Sequence, residues 1–206
     1  MKKWLFASLV WLVAATANAA APIKEGVDYT VMSPAQPVAA KGKIEVLEFY
    51  SYTCIHCYHL EPLIETWAKT RPADVDFRRE HISWDKSMDG FVKLAATLKA
   101  TNLERLQMPV FDAVMRDKIN LGQPDVLKGW IAKQPGVNAA SFMQTYGSFG
   151  ISSAPARAAQ LTRTYQIEGT PTLVVGGKYA TMAATPERRI EIINALIARV
   201  RAEQKK

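Results

Sequence analysis

The sequence predicts an α/β fold in which helices flank a mixed central β-sheet and an all-helical subdomain is inserted into the chain. Segments with a strand pattern lie near both ends of the chain, and the residues between about 86 and 165 have helical periodicity. The opening order of strand, helix and strand favours parallel pairing, whereas the later hairpin is antiparallel. The two kinds of pairing together predict a mixed sheet.

Three strands and one helix are predicted in the opening part. A short strand is predicted at 29–32 and a buried central strand at 43–50, which is rich in Ile, Val, Leu and aromatic residues. A third strand is predicted at 75–82. The helix between the second and third strands is expected to have Thr53 as its N-cap, which places Cys54 in its first turn.

The inserted segment is predicted to contain four or five short helices. Pro124 and Asn138 are residue types that commonly begin helices. One helix is expected to bury a face formed by Phe91, Leu94, Ala95 and Leu98.

The end of the chain is predicted to form a hairpin and a last helix. The strands at 172–175 and 178–181 are separated by Gly176 and Gly177, which suit a two-residue turn. The helix is expected to begin at Thr185, because proline and glutamate follow that N-capping residue. We therefore assign 20–85 and 166–206 to the main domain and 86–165 to the inserted subdomain.

The first nineteen residues predict a cleaved signal peptide. Lys2 and Lys3 precede an apolar stretch at 4–15, and the small residues at 17–19 form a typical cleavage site. A membrane anchor is the alternative, but this apolar stretch is too short to cross about 30 Å of hydrocarbon. Cleavage is predicted after Ala19, and the mature protein is expected to be exported.

The charges of the chain give no indication of a nucleic-acid partner. The formal net charge is +7, from 26 Lys and Arg against 19 Asp and Glu. Basic and acidic residues alternate along most of the chain, and no basic cluster with interleaved aromatic residues occurs. A solvated surface explains these charges.

The only two cysteines, Cys54 and Cys57, are three positions apart. Exported proteins usually pair an even number of cysteines in structural disulfides. A disulfide that closes so small a ring restrains the unfolded chain by only roughly 2 kcal/mol. A structural bond is therefore the weaker interpretation, and a redox-active pair is the stronger one.

The position of Cys54 favours this chemistry. Disulfide exchange requires a thiolate, and free cysteine with a pKa of about 8.5 is mostly protonated at neutral pH. Unpaired N–H groups and the helix dipole favour an anion at a helix start. His56 can add a hydrogen bond or a positive charge. A more stable thiolate stabilises the reduced protein and makes its disulfide a stronger oxidant.

The chain resembles the DsbA family of thiol:disulfide interchange proteins. Four segments carry the resemblance, in order along the mature chain: 48–52 (EFYSY), 54–58 (CIHCY), 169–172 (GTPT) and 177–179 (GKY). The resemblance implies a thioredoxin-like fold and a periplasmic enzyme that donates its Cys54–Cys57 disulfide to reduced or unfolded exported proteins through a mixed disulfide. It also implies a monomer, reoxidation by a DsbB-like membrane partner, and no cofactor besides the disulfide.

The resemblance gives roles to three further residues. Pro171 is expected to be a cis-proline beside the cysteines, with the backbone of Thr170 available to an extended substrate; an ordinary trans-proline is the alternative. Glu48 is expected to be a buried acid that assists proton transfer beneath the cysteines. The alternative for Glu48 is a solvated position at a sheet edge.

Two positions differ from the family's type protein. Ile55 stands where that protein has proline, and Thr170 where it has valine, so the strength of the oxidant is less defined than the fold. A disulfide reductase or isomerase of the same fold is one alternative function.

A metal-binding chaperone that uses Cys54, Cys57 and His56 is the alternative from a different class. His59 and His81 also invite a metal interpretation. Ligands from one helical turn would strain the tetrahedral geometry of zinc, and we therefore predict no metal site.

Overall fold

The computed structural model describes residues 22–39 and 42–205, so the predicted signal peptide and its cleavage site lie outside the described residues. A five-stranded sheet forms the centre of the fold in the order β1-β5-β4-β2-β3. The strands are β1 Tyr29–Val31, β2 Ile44–Tyr50, β3 Val75–His81, β4 Thr172–Val175 and β5 Tyr179–Thr181.

The sheet is mixed, as predicted. β2 pairs in parallel with β3 and antiparallel with β4, and the β4–β5 and β1–β5 pairs are antiparallel. All seven residues of β2 are buried, which agrees with its apolar composition. β3 and β1 are the two edge strands of this sheet.

The hairpin between β4 and β5 differs from the prediction by one residue. Gly176 and Gly177 have φ values of 61° and 65°, as the tight turn requires. However, Lys178 remains in the connection, and β5 begins only at Tyr179. The reason is that Lys178 donates its N–H to the Val175 carbonyl at 3.1 Å, which closes the turn and makes Lys178 part of the connection.

Two long helices pack against the sheet through one apolar core. They are α1, Ile55–Thr70, and α8, Pro186–Glu203. The Thr185 side chain accepts the N–H of Arg188, so the predicted start of α8 is confirmed. The shared core contains Ile64 of α1, Leu196 of α8 and the β2 and β4 side chains that face them.

The predicted N-cap of α1 is wrong by one residue. Cys54 itself has the extended backbone of an N-cap, and its side chain accepts the N–H of Cys57. Thr53 does not cap the helix because its hydroxyl is hydrogen-bonded to the Ser51 hydroxyl at 2.9 Å. Cys54 therefore immediately precedes the first turn of α1.

Six α-helices, more than the four or five predicted, lie between β3 and β4, a stretch that the structure describes throughout. They are α2 Asp89–Ala100, α3 Gln107–Phe111, α4 Pro124–Ile131, α5 Ala139–Tyr146, α6 Phe149–Ser152 and α7 Ala154–Thr164. The count is higher because Pro155 cannot continue α6 and begins a separate helix. Pro124 and Asn138 do begin helices.

These helices have an apolar core of their own that reaches the cysteine pair. Phe91, Leu94 and Leu98 are buried in it, with Ala95 packed against it, as predicted. The same core contains Tyr50 and Cys57. The redox pair therefore lies where the sheet, α1 and the helical segment meet. Among the helices of the described part, none is long and apolar enough to cross a membrane.

Candidate active site

The backbone between β2 and α1 holds Cys54 at the start of the helix. Cys54 donates its N–H to the Ser51 carbonyl at 3.1 Å, which closes the turn after β2. The backbone N–H of Cys57 lies 3.4 Å from the Cys54 Sγ and donates to it. Both cysteines are free thiols in this structure.

The two sulfurs have different environments. Cys57 is 1% exposed and belongs to the core, whereas Cys54 is only partly buried. Ile55, beside Cys54, is 44% exposed and adds apolar surface next to the accessible sulfur. Only Cys54 can be reached by a sulfur from another protein without opening the core.

The same environments separate the pKa values of the two thiols. The hydrogen bond from the Cys57 thiol is the largest influence that lowers the pKa of Cys54, and the pKa falls to about 5 although partial burial opposes it. Thr170 and the backbone N–H groups of Cys57 and His56 lower it further. Burial raises the pKa of Cys57 far above its ordinary value, and the neighbouring Cys54 adds to this effect.

The Thr170–Pro171 segment lies beside Cys54, as expected. The peptide bond between these two residues is cis. The Cys54 Sγ lies 3.2 Å from the Thr170 carbonyl, to which the protonated thiol donates. Pro171 itself is buried, and Thr170 is partly exposed. This places the backbone of the cis-proline segment against the reactive sulfur.

Glu48 is buried in the central strand, so the solvated alternative for this residue is wrong. It is 1% exposed. Its Oε2 accepts from Arg79 Nε on β3 at 3.0 Å, and Arg79 also lies 3.0 Å from Glu61 on α1. One partly buried arginine therefore links two buried carboxyl groups beneath the cysteine pair.

Burial controls the ionisation of this group. It raises the pKa of Glu48, although the charge of Arg79 opposes the shift. Burial likewise raises the pKa of Glu61 to about 8, and the Glu48 charge contributes. Burial alone would lower the pKa of Arg79, but the two carboxylates raise it overall. Near neutral pH these carboxyl groups can therefore store a proton.

His56 is placed beside the pair, with its side chain exposed. The contact through which it lowers the pKa of Cys54 is a backbone hydrogen bond. The direct role predicted for its imidazole remains a prediction.

The other two histidines have different positions. His59 is exposed, whereas His81 ends β3 and is buried. His81 Nε2 accepts the N–H of Tyr52 at 3.1 Å. Over residues 22–39 and 42–205, no three His, Cys, Asp or Glu side chains form a group that could hold a metal ion.

Three charged residues of this region were not predicted: Glu61, Arg79 and Arg189. Two of them had a signal in the sequence. Arg79 is a charged residue inside a predicted strand, and Glu61 lies one helical turn after Cys57, on the face that turns inward. Arg189 is 5% exposed in the first turn of α8 and had no such signal.

The fold and the paired cysteines define a thiol:disulfide oxidoreductase of the thioredoxin-like class. Residues 85–197 match the family model described as "DSBA-like thioredoxin domain", which is more than half of the chain. The chain belongs to the DsbA family of thiol:disulfide interchange proteins.

Curated relatives named "Thiol:disulfide interchange protein DsbA" match most of the chain. The relative from Pseudomonas syringae pv. tomato is 34% identical over 194 residues, which cover 92% of this chain and 90% of the relative. The relative from Bordetella parapertussis is 38% identical over 171 residues, which cover 82% and 81%. These matches include the cysteine pair, which precedes the segment that the family model covers.

Solved structures agree with this assignment. NmDsbA1 from N. meningitidis superposes with a TM-score of 0.82 at 38% identity, covering 89% of this chain and 96% of that one. Pseudomonas aeruginosa DsbA superposes with a TM-score of 0.82 at 34% identity, covering 88% and 96%. The predicted α/β fold of thioredoxin-like type, with its mixed sheet and helical segment, is confirmed.

Proposed function

We propose that this oxidoreductase works as a periplasmic oxidant and that Cys54 is its reactive sulfur. The observation that carries the proposal is the Cys54 sulfur at the N-cap of α1, which accepts the N–H of Cys57 and has its pKa lowered to about 5. A stabilised thiolate makes Cys54 a good leaving group. This relation between a stabilised thiolate and oxidising strength is the established one for DsbA itself and is applied here to this chain.

The reaction begins when a substrate thiolate attacks the Cys54 sulfur of the oxidised protein. The Cys54–Cys57 bond breaks as a mixed disulfide forms, and the Cys57 sulfur leaves as a thiolate that takes up a proton. A second substrate thiolate then attacks the substrate sulfur and expels Cys54 as a thiolate. Two electrons have passed from the substrate dithiol to the protein, and the substrate gains a disulfide.

Glu48 is proposed to provide the proton for Cys57. The Cys57 sulfur is buried and its pKa is raised, so it requires a proton as soon as it leaves the disulfide. Part of that rise comes from the charge of Glu48, which lies near enough to act on the sulfur. Because burial raises the pKa of Glu48, Glu48 holds a proton more readily than a solvated carboxyl group does and can pass it to the sulfur. Arg79 contacts both Glu48 and Glu61, and the charge on Glu48 raises the pKa of Glu61, so the ionisation of the two carboxyl groups is linked.

Thr170, Pro171 and Ile55 are proposed to receive the substrate. The Thr170 backbone is expected to pair with an extended chain whose cysteine lies next to Cys54, and Pro171 fixes that segment. The exposed side chain of Ile55 adds apolar contact area on the other side of the sulfur. His56 is proposed to stabilise the Cys54 thiolate from solvent.

The partners are proposed by analogy with the relatives that carry the name DsbA. We propose that the signal peptide is removed after Ala19, that reduced or unfolded exported proteins are the substrates, and that a DsbB-like membrane protein reoxidises the cysteines. The protein is proposed to act as a monomer with no cofactor besides its own disulfide. The proposed domains are 20–85 with 166–206 and the inserted helical segment 86–165.

Two measurements test this function. The oxidised protein should convert a reduced two-cysteine peptide to its disulfide, and Cys54→Ser should abolish this activity. The thiolate absorbance of the reduced protein should rise with a midpoint near pH 5, where Cys54 ionises. A midpoint near that of free cysteine, about 8.5, would contradict the proposal.

A matched pair of variants separates the hydrogen bond of Cys57 from its redox role. Cys57→Ser keeps a donor for the Cys54 sulfur, and Cys57→Ala removes it. The serine variant should retain the acidic midpoint and accumulate the mixed disulfide. The alanine variant should titrate at a higher pH, because the largest influence on the pKa of Cys54 is that hydrogen bond.

A further inference from the structure

Arg189 is a buried cation to which the proposed mechanism gives no role. It is 5% exposed and lies in the first turn of α8, where the helix dipole disfavours a positive charge. Its Nη1 donates to the Thr181 Oγ1 and to the Met182 carbonyl, both at 3.0 Å. In the described part of the chain no carboxylate lies within ion-pair distance of it. A buried charge in this position is costly unless an anion compensates it.

The contacts of Arg189 lead to the cis-proline segment. Thr181 Oγ1, which accepts from Arg189, also accepts the N–H of Leu173 at 3.0 Å. Leu173 is the second residue after Pro171. The hydroxyl of Thr181, a residue that is 5% exposed, therefore links the guanidinium to the backbone that follows Pro171.

Arg189 also lines a small cavity beside the cysteine-bearing end of α1. The cavity has a volume of about 40 Å³. Its other lining residues are His56, His59, Leu60, Pro171, Ala184 and Pro186. The cavity lies between the first turns of α1 and α8, and Arg189 borders it together with Pro171 and with His56, two neighbours of Cys54.

The other charges near the sulfur do not compensate a thiolate. Glu48 on β2, Glu61 on α1 and Arg79 on β3 form one linked group. The pKa of Glu61 is raised to about 8, so Glu61 is mostly neutral at pH 7. In the reduced protein Glu48 has passed its proton to Cys57 by the proposed mechanism, so the ionised Glu48 balances Arg79, which lies 3.0 Å from it. A thiolate at Cys54 adds a second negative charge, and these three residues supply no second cation to balance it.

Ionisation of Cys54 also removes a favourable contact. The thiol donates to the Thr170 carbonyl at 3.2 Å, and a thiolate has no hydrogen to donate there. The sulfur anion and the carbonyl oxygen then repel each other, although the hydrogen bond of the Thr170 side chain favours the anion. Burial lowers the pKa of Arg189, and negative charge on Cys57, Glu48 or Cys54 opposes that shift.

We infer that Arg189 is a positioning residue that stabilises the Cys54 thiolate by its charge, across the cavity beside Pro171. In the reduced protein its positive charge is balanced by the Cys54 thiolate. In the oxidised protein there is no thiolate, and the positive charge is uncompensated. Arg189 thereby strengthens the protein as an oxidant. The inference rests on the proposed role of Cys54 as the reactive sulfur.

The experiment compares Arg189→Met with the wild type and with Arg188→Met. Arg188, the preceding residue, pairs with Asp28 and Glu191, so its variant removes one positive charge from the same helical turn, away from the cysteines. Thiolate absorbance should show a Cys54 midpoint higher by about half to one pH unit in Arg189→Met. The equilibrium constant for oxidation of glutathione should fall about threefold to tenfold. Arg188→Met should leave both quantities unchanged.

Two further variants keep the test decisive. Arg189→Lys retains the charge and should restore most of the wild-type midpoint, which a purely structural role of Arg189 does not predict. Arg189→Gln is neutral but keeps a donor for Met182, and it should behave as Arg189→Met if the latter does not fold. A folded neutral variant with the wild-type midpoint overturns the inference. A wild-type midpoint near that of free cysteine instead overturns the proposed function.

Discussion

Burial of Glu61 makes the stability of this protein depend on pH. Its ordinary pKa is 4.5, and burial beside Arg79 and Glu48 raises the folded-state value to about 8. An acid with a raised pKa favours the folded state while it is protonated. Its contribution is therefore complete below pH 4.5 and is lost as the pH rises through about 8.

Glu61→Gln should remove this dependence. The amide keeps an acceptor for Arg79 and cannot ionise. Between pH 4.5 and 8 the free energy of unfolding of the wild type should fall relative to that of the variant, by roughly 2–4 kcal/mol. Urea denaturation at several pH values measures it. Glu65→Gln is the control, because Glu65 is a surface residue paired with Lys69, and parallel curves for wild type and Glu61→Gln would contradict the prediction.

The residues of the site differ in how far the sequence could predict them. The spacing of Cys54 and Cys57 and the G-T-P motif at Pro171 are local patterns, and they identified the reactive pair and its neighbour. Arg79 reaches the site from β3, and Arg189 reaches it from α8. Their relevance depends on sheet order and helix packing, which a single sequence does not show at the level of side chains.

Helix α2 packs against the loop before α4 through two glycines. A Cβ on Gly90 would lie 1.9 Å from the carbonyl oxygen of Gly122, a backbone atom that cannot move aside alone. Gly129, inside α4, has no atom within 4 Å of the corresponding position. Gly90 therefore has no room for a side chain, whereas Gly129 has room for one, although both residues lie in helices.

Gly90→Ala should lower the free energy of unfolding by about 1–3 kcal/mol because the two backbones must separate. Gly129→Ala should raise it by about 0.5–1 kcal/mol because alanine favours the helix and meets no obstacle. Denaturant titration of both variants checks the pair. Equal effects would show that the approach of α2 to Gly122 does not determine stability.

The elements themselves were predicted well, and their ends less so. β2 and α8 agree with the sequence because an apolar run and a capping sequence define them locally. The N-cap of α1 moved from Thr53 to Cys54, since the Thr53 hydroxyl is engaged by Ser51. The hairpin differs because the Lys178 N–H closes the turn by bonding to the Val175 carbonyl. In both cases a local hydrogen bond determined the boundary, and residue type alone does not show which of several possible local bonds forms.

The redox state should change the stability of the whole molecule. In the reduced protein the pKa of Cys54 is lowered from an ordinary 9 to about 5, so its thiolate favours folding. This contribution is complete above pH 9, declines as the pH falls and disappears below about 5. The disulfide form has no thiolate and cannot gain this stabilisation.

The reduced protein should therefore melt at a higher temperature than the oxidised protein at pH 7. Each 1 kcal/mol corresponds to about 2–4 °C for a domain of this size. The difference between the two melting temperatures should shrink as the pH approaches 5. Calorimetry of both forms from pH 5 to 8 measures it, with Cys57→Ser as a control that has no disulfide. An oxidised form that melts higher at pH 7 would contradict the prediction.

The two edge strands of the sheet determine whether an unfolded chain can pair with this protein as an additional strand. β1 has only three residues, and the edge strand β3 carries Asp76, Arg78, Arg79 and Glu80 in a run of seven. Short strands and charged side chains discourage the addition of a further strand. A substrate protein joined to Cys54 by a disulfide can therefore change its conformation without adding a β-strand to the edge of this sheet and starting an aggregate.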